Sequence, residues 1–196
     1  MRKNSHGYTL IELLIVMAII GLIAAVAFPQ FANLRSRSAV RAAAMTMRTI
    51  FHMARSRAIA RGNNCGVKFM KVGSEWKFRL YDDGDGDGVR NDDIKRGTDR
   101  PVGPARVVLP ESRLVTIGLL SETVRDPGGA KMLPSQSPVR FNRSAICSFS
   151  PYGESTPGTI YLTTRGGELW AVRVYGASAK MRVLRYDADA RRWSQK

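Results

Sequence analysis

Apolar residues run with few breaks from Leu10 to Phe28, and no side chain from Leu13 to Leu34 is charged, a span of 22 residues. As a helix rising about 1.5 Å per residue, this stretch would be about 33 Å long, enough to cross a hydrocarbon core of about 30 Å. A buried core helix rarely runs this far without a polar face. A cleavable secretory signal would be cut after the apolar run, and the small residues Ala24 to Ala27 offer such a place. Neither reading explains Glu12, a carboxylate at the front of the run. A charge inside an apolar helix is costly and reads as functional.

Pro29 removes a backbone donor and predicts a kink, but the helical pattern resumes beyond it. Val40, Ala43, Ala44, Met47, Ile50, Phe51, Ala54 and Ala58 recur at spacings of three and four and make one apolar face. Gly62, followed by Asn63 and Asn64, predicts the stop. The polar side carries Arg35, Arg37, Arg41, Arg48, Arg55, Arg57 and Arg61, with no Asp or Glu between Leu13 and Ser74. Arg35 and Arg37 fall where the helix would leave a membrane, where lipid headgroups are one explanation. A solvated face and pairing with acidic neighbours in an assembly are the others.

From Cys65 the period changes to two. Cys65 to Met70 and Trp76 to Tyr81 alternate apolar with polar residues, and Lys71 to Glu75 between them suits a hairpin. Later candidate strands are Val107 to Leu109, Leu114 to Leu119, Val139 to Phe141, Thr159 to Thr163, Leu169 to Tyr175 and Met181 to Tyr186. Segments rich in Gly, Pro and Ser separate them, above all Asp126 to Ser137 and Ser150 to Gly158. The pattern predicts an α+β fold: one long helix, its rear half packed against antiparallel sheets. No internal repeat or second domain is visible.

Length and charge refine this picture. Of 196 residues, about 130 remain beyond the helix, enough for one domain with its own core. Hydrophobic residues at 44% and charged residues at 24% are ordinary for a globular chain. A formal charge of +15 and a pI near 10.6 are not. They favour nucleic acid, anionic lipid or acidic protein surfaces, although solubility or a genome rich in arginine codons accounts for them as well. Arg2 and Lys3 precede the apolar run, which places that end in the cytoplasm and the bulk of the chain outside it. Cys65 and Cys147 would then sit in an oxidising compartment, either paired or as two buried thiols.

The sharpest local chemistry is the run Asp82 to Ile94. Carboxylates at alternate positions, with glycines allowing tight turns, can converge on one hard cation such as calcium. Asp83, Asp85 and Asp87, followed by Gly88, match the opening of a calcium loop of the EF-hand kind. The twelfth position is Ile94, so a shorter loop closed by Asp93 is the expectation. The alternative is an acidic hairpin tip that binds nothing specifically. Catalysis is not expected. The histidines are His6 and His52, no nucleotide-binding glycine motif follows a strand, and His52 reads as a residue between helix and sheet. No cofactor is required.

Met1-Arg2-Lys3-Asn4-Ser5-His6-Gly7, followed by Tyr8-Thr9-Leu10-Ile11-Glu12, resembles the type IV prepilin signal. The resemblance implies a leader at 1–7, cut between Gly7 and Tyr8 by prepilin peptidase, which then N-methylates Tyr8. The family more often has Phe at that place. It also implies that Glu12 pairs with the N-terminal amine of a neighbouring subunit. The long helix then occupies 8–62, transmembrane at about 10–30, and a periplasmic β-rich domain occupies 63–196. That is the pilin architecture, and the proline at position 29 is common in it.

Ala54 to Gly62, Phe141-Asn142, Phe149 to Gly153 and Gly158 to Leu162, with a basic final strand, are similar to minor pseudopilins of the GspH/FimT type. This resemblance implies a single-pass inner-membrane protein that joins other pilin or pseudopilin subunits in a type II secretion pseudopilus or a type IV pilus. Members of the FimT kind bind DNA through a Gly-Arg-x-Arg signature. The nearest match is Ala179-Lys180-Met181-Arg182, where lysine keeps the charge but loses the bidentate fork. Arg185, Arg191 and Arg192, with Arg173, would extend that patch, and Tyr186 and Trp193 would stack on bases.

Overall fold

The structure, a computed structural model, describes residues 9–110 and 114–196, and side chains at 26–33 are not considered. The leader 1–7 and the cleavage pair Gly7 and Tyr8 lie outside the described residues. Helix α1 runs from Leu10 to Arg61 without a break at Pro29. Thr9 caps its start and Gly62 its end, the latter in the left-handed region at φ 63°. There the Gly62 and Asn63 N–H groups return to the Ile59 and Ala58 carbonyls, a cap geometry that glycine adopts at no steric cost.

Among the described residues no helix is long and apolar enough to cross a membrane. The charge-free run in the sequence continues through 26–33, so these residues hold only part of it. The predicted apolar face of the rear half is fully realised: Val40, Ala43, Ala44, Met47, Ile50, Phe51, Ala54 and Ala58 are all buried. His52 instead points to solvent, because it lies one position past the buried Phe51 and so off the apolar stripe.

Two antiparallel sheets receive that face. Strands β1 (Cys65–Val72) and β2 (Glu75–Asp82) form the predicted hairpin, and β3 (Arg100–Val107) extends it. The short helix α2 (Asn91–Arg96) lies between β2 and β3. Next come β4 (Val115–Ile117), the two-residue strands β5 (Val124–Arg125) and β6 (Lys131–Met132), β7 (Val139–Phe141) and β8 (Ile146–Phe149). The chain finishes with β9 (Gly158–Thr164), β10 (Leu169–Val174), β11 (Met181–Asp187) and β12 (Arg192–Gln195). The first sheet has the order β3-β2-β1-β8, and the second β12-β11-β10-β9-β4, with β7 also on β9. Phe51 joins them. Its ring centroid lies 5.9 Å from Phe69 of β1, 6.1 Å from Phe149 of β8 and 5.7 Å from Phe141 of β7.

Two stretches differ from the expectation. The candidate strand at Val107 to Leu109 lies earlier, as β3 at Arg100–Val107, where Pro101 and Pro104 are tolerated because an edge strand does not need every N–H in a ladder. Its register against β2 shifts between Phe78 and Leu80, and Gly103 sits at φ 72° in the irregularity. Likewise, the segment 126–137 contributes to a β5–β6 hairpin over the far side of the second sheet. Val124 and Met132 bury there with Tyr161, Leu169, Ala171, Leu184 and Tyr186 in a second apolar cluster.

Candidate functional site

Four groups of residues carry the chemistry expected of this sequence; the fold sets Cys65 beside Asp82 at the start of the acidic run, and separates that run from the helix start. The first is the start of α1. The Glu12 N–H donates to Thr9 Oγ1 at 3.3 Å, and the Thr9 N–H donates to Glu12 Oε2 at 3.1 Å. This reciprocal capping box satisfies two of the free donors at the helix N-terminus. Glu12 is exposed, and its other oxygen, Oε1, accepts no hydrogen bond from a described residue. The single chain therefore gives the carboxylate a local task and leaves it accessible.

The second group is the acidic loop. Asp83 is buried at its centre. Its Oδ1 accepts from the N–H groups of Asp85 and Gly86 at 3.1 and 2.9 Å, and Oδ2 from the Gly88 N–H at 2.8 Å and the Asn64 amide at 2.6 Å. Burial opposes the charge, but these donors outweigh it and hold the Asp83 carboxyl below the usual carboxylate range. Asp99, which no local pattern marked, closes the loop from the other side. It accepts from the Gly84 and Arg90 N–H groups at 3.2 and 2.9 Å, and burial pushes its carboxyl up. Val89 and Ile94 then pack on Tyr81 and Ile146. This is an anchored substructure rather than a free tip.

Ligand oxygens of Asp83, Asp85 and Asp87 lie within 4.8 Å of one another, as the alternating pattern predicts. Asp93 does not join them, which corrects the expected closing ligand. It sits buried on α2 and pairs with Arg96 one turn along. Asp87 also has a cation, Arg90.

The expected disulfide is the next correction: Cys65 and Cys147 are separate buried thiols. The β1–β8 register sets Cys147 opposite Val67, and Cys65 opposite Phe149. A diagonal pair in a sheet is about 7–8 Å apart at Cα, whereas a bridge usually needs about 4.4–6.8 Å. Desolvation raises the Cys65 thiol to about 12, with the Asp82 charge as a smaller contributor, and burial also raises Cys147. Asp82 itself takes a bidentate pair from Arg57 of α1, both contacts at 2.6 Å.

The basic C-terminal set does not form one patch. Side chains alternate along a strand, so Arg182 and Arg185 of β11 lie on opposite faces. Arg185 turns toward the helix and forks onto Glu168 at 2.9 and 3.0 Å, and Arg37 of α1 reaches the same carboxylate at 3.0 Å. Arg191 and Arg192 lie at the β11–β12 turn, and Lys180 lies at the far end of β11, about 20 Å away at 3.3 Å per residue. Tyr186 is buried, and Trp193 packs on it at 5.2 Å while donating to the Arg125 carbonyl, so neither ring is free to stack on a base. What remains is a hollow of about 400 Å³ lined by Tyr175, Gly176, Ala177, Ser178, Lys180 and Arg182. The guanidinium carbons of Arg173 and Arg182 each lie 5.4 Å from the Tyr175 ring centroid. The Arg182 Nε is buried and has no hydrogen-bond partner among the described residues.

Comparison with known proteins agrees with this architecture. Residues 2–28 match the prokaryotic N-terminal methylation motif, and residues 43–179 match the family model for the type II transport protein GspH. The chain belongs to the GspH family of type II transport proteins. It is similar to the type IV major fimbrial protein FimA of Dichelobacter nodosus, 55% identical over 40 residues, which is 20% of this chain and 26% of that protein. It is also similar to a probable minor fimbrial protein of the same organism, 55% identical over 38 residues, 19% of this chain and 24% of that one. The match thus spans about a quarter of the length of these relatives. No solved structure gives a significant match.

Proposed function

We propose that this chain is a minor pilin-like subunit of a type II secretion pseudopilus or a type IV pilus. In this reading prepilin peptidase cuts after Gly7 and methylates Tyr8, the front of α1 stays in the inner membrane, and the β-rich head faces the periplasm. Its work is assembly with other pilin or pseudopilin subunits, not turnover. The observation that carries the reading is the front of α1, a long apolar surface left exposed by its own chain and headed by the accessible carboxylate of Glu12. Glu12→Val is expected to insert and be cleaved but to enter filaments poorly, whereas Gly7→Leu blocks cleavage itself. Sheared-filament immunoblots read the first and gel mobility the second. Normal incorporation of Glu12→Val would sink the pairing role.

A second reading, DNA binding in uptake, is favoured by the hollow at Tyr175. A guanidinium whose Nε has no hydrogen-bond partner among the described residues, a lysine and an aromatic ring there suit a phosphate with a stacked base. Arg191 and Arg192 play no part in it. A mobility shift of the full chain that weakens steeply with salt, and is lost in Arg182→Ala, supports this reading. No shift at low salt overturns it. For the acidic loop, the reading is calcium held by Asp83, Asp85 and Asp87. Calorimetric titration of the full chain should give heat that Asp85→Ala abolishes, and no heat at millimolar calcium removes the idea.

A further inference from the structure

The rear half of α1 has two flanks beside its buried face, and the chain treats them differently. At about 100° per residue, Arg37, Arg41, Arg48 and Arg55 fall within about 40° of one another on one flank, and Arg57 falls on the other. Arg57 meets Asp82 of β2, with both contacts at 2.6 Å. On the first flank Arg37 reaches Glu168, a carboxylate that already takes the fork of Arg185. Among the described residues, Arg41, Arg48 and Arg55 form no ion pair.

Arg48 is the sharpest case. Its Nε is buried with no hydrogen-bond partner among the described residues, and its Nη1 reaches the Met45 sulfur at 3.7 Å. A thioether is a weak acceptor, and a charged donor withdrawn from water without a good one is costly.

The spacing of these arginines is regular. Arg41, Arg48 and Arg55 are seven residues apart, nearly two helical turns or about 10.5 Å per step. Met45, His52 and Ile59 alternate with them at the same interval, so the six positions advance in steps of four and three. That is the seam along which one helix docks on another. The sheets leave it open: Arg41, His52 and Ile59 are exposed, Ile59 by 55%, and Met45, Arg48 and Arg55 are half-buried. Helix α1 cannot supply the missing acids to a copy of itself, because no Asp or Glu lies between Leu13 and Ser74. A second α1 on this flank would set arginine against arginine.

We propose that this flank docks a helix of a different chain. That helix carries a carboxylate every seven residues, facing Arg41, Arg48 and Arg55, and apolar side chains against Met45 and Ile59. The identity of its chain as another filament subunit rests on the function proposed above; the seam itself does not. Acids at the same interval meet each guanidinium in turn and give Arg48 the acceptor it lacks. The like charge that rejects a second α1 makes the contact selective. An anionic membrane fits poorly, because the ladder covers about 21 Å of helix and a headgroup layer is about 5–8 Å thick. A nucleic acid would meet the charges and leave the apolar line of Met45 and Ile59 without a partner.

Full-length protein in detergent micelles and labelled helical peptides of about four heptads provide the test. The probe peptide has Glu at every seventh position and Leu four residues after each. One control replaces Glu by Gln, and another moves the same Glu residues off the heptad. Fluorescence anisotropy should show binding of the probe peptide alone, weakened several-fold at about 0.5 M salt. A benzophenone on its apolar line should photolink to Met45 or Ile59. R41E/R48E/R55E should lose this binding and gain it for a Lys-for-Glu peptide. The neutral variant R41Q/R55Q, with an unchanged circular dichroism melt, separates docking from folding and should bind several-fold more weakly. The inference fails if the probe peptide does not bind, if either control binds equally, or if the links fall outside residues 41–59. It also fails if only added DNA or anionic vesicles bind through these arginines. Entry of the wild type into sheared filaments without peptide binding overturns the seam and leaves the subunit reading intact. Peptide binding by a chain absent from filaments keeps the seam and sinks that reading.

Discussion

Leu13, Ile15 and Ile19 in the front half of α1 are as apolar as Val40, Met47 and Phe51 in its rear half. Yet the first three are 60%, 53% and 52% exposed, and the last three are fully buried. The residues do not differ in kind; their surroundings do. The rear half meets two sheets whose strands supply Phe69, Phe141 and Phe149, while the front half extends beyond any element of its own chain. Exposed apolar surface on this scale marks a binding or membrane surface. The front half is therefore built for contacts outside the chain and the rear half for contacts within it, along one continuous backbone.

The largest effect that tests this contrast comes from truncating matching side chains. Phe51→Ala should destabilise the head by about 3–5 kcal/mol, because it leaves a cavity between two sheets that do not close independently. Ile15→Ala should leave head stability unchanged and reduce filament entry instead. Denaturant unfolding followed by tryptophan fluorescence measures the first, and incorporation measures the second. Equal loss of stability in both would erase the contrast.

Next in size is the tie between the rear helix and the second sheet. Glu168 binds Arg37, Arg185 and the Trp170 indole N–H, so Glu168→Ala strands several donors and should cost about 1–3 kcal/mol. Burial raises the Glu168 carboxyl, and the Arg185, Trp170 and Arg37 donors more than offset it, so its folded value lies below the usual range. A depressed carboxyl stabilises the fold above its unfolded value, about 4.3, and that contribution is lost as pH falls further through the folded value. The acid limb of a melting-temperature profile should be shallower in Glu168→Gln.

A change of similar size probes how the acidic loop is held. Gly66→Ala pushes against Val89 and should cost about 1–3 kcal/mol while exposing the loop to proteolysis near Gly86. Gly73→Ala, in the β1–β2 turn, leaves that loop protected.

The smallest effect is alkaline. The Cys65 thiol, raised from 9.0 to about 12, contributes stability that is complete below pH 9 and fades as pH rises toward 12. Wild type should lose melting temperature over that range, and Cys65→Ala should lose less.

Much of this was legible because it depends on local period. The α1 face, the Gly62 stop, the first hairpin and the convergence of Asp83, Asp85 and Asp87 follow from spacings of two, three and four. What depended on partners distant in sequence was not legible. Proline at 101 and 104 hid β3, which survives only because it is an edge. A gap of 16 residues hid the role of Asp99 opposite Asp83. Adjacency in sequence grouped Arg182 with Arg185, although strand alternation separates them, and Tyr186 and Trp193 looked available until an outer hairpin covered them.

The sequence alone determined the long helix, its charge-free front with Glu12 at the head, the methylation motif and the antiparallel, β-rich nature of the rest. These are properties of neighbouring residues and of the backbone they share. Only the tertiary structure decided which charges are spent. It gave Arg185 and Arg37 to Glu168, Asp93 to Arg96 and Arg57 to Asp82, and among the described residues it left Lys68, Lys77 and Arg182 in no ion pair. Charge pairing falls off with distance in space, and chain order says little about that distance once two sheets and a helix have closed on one another.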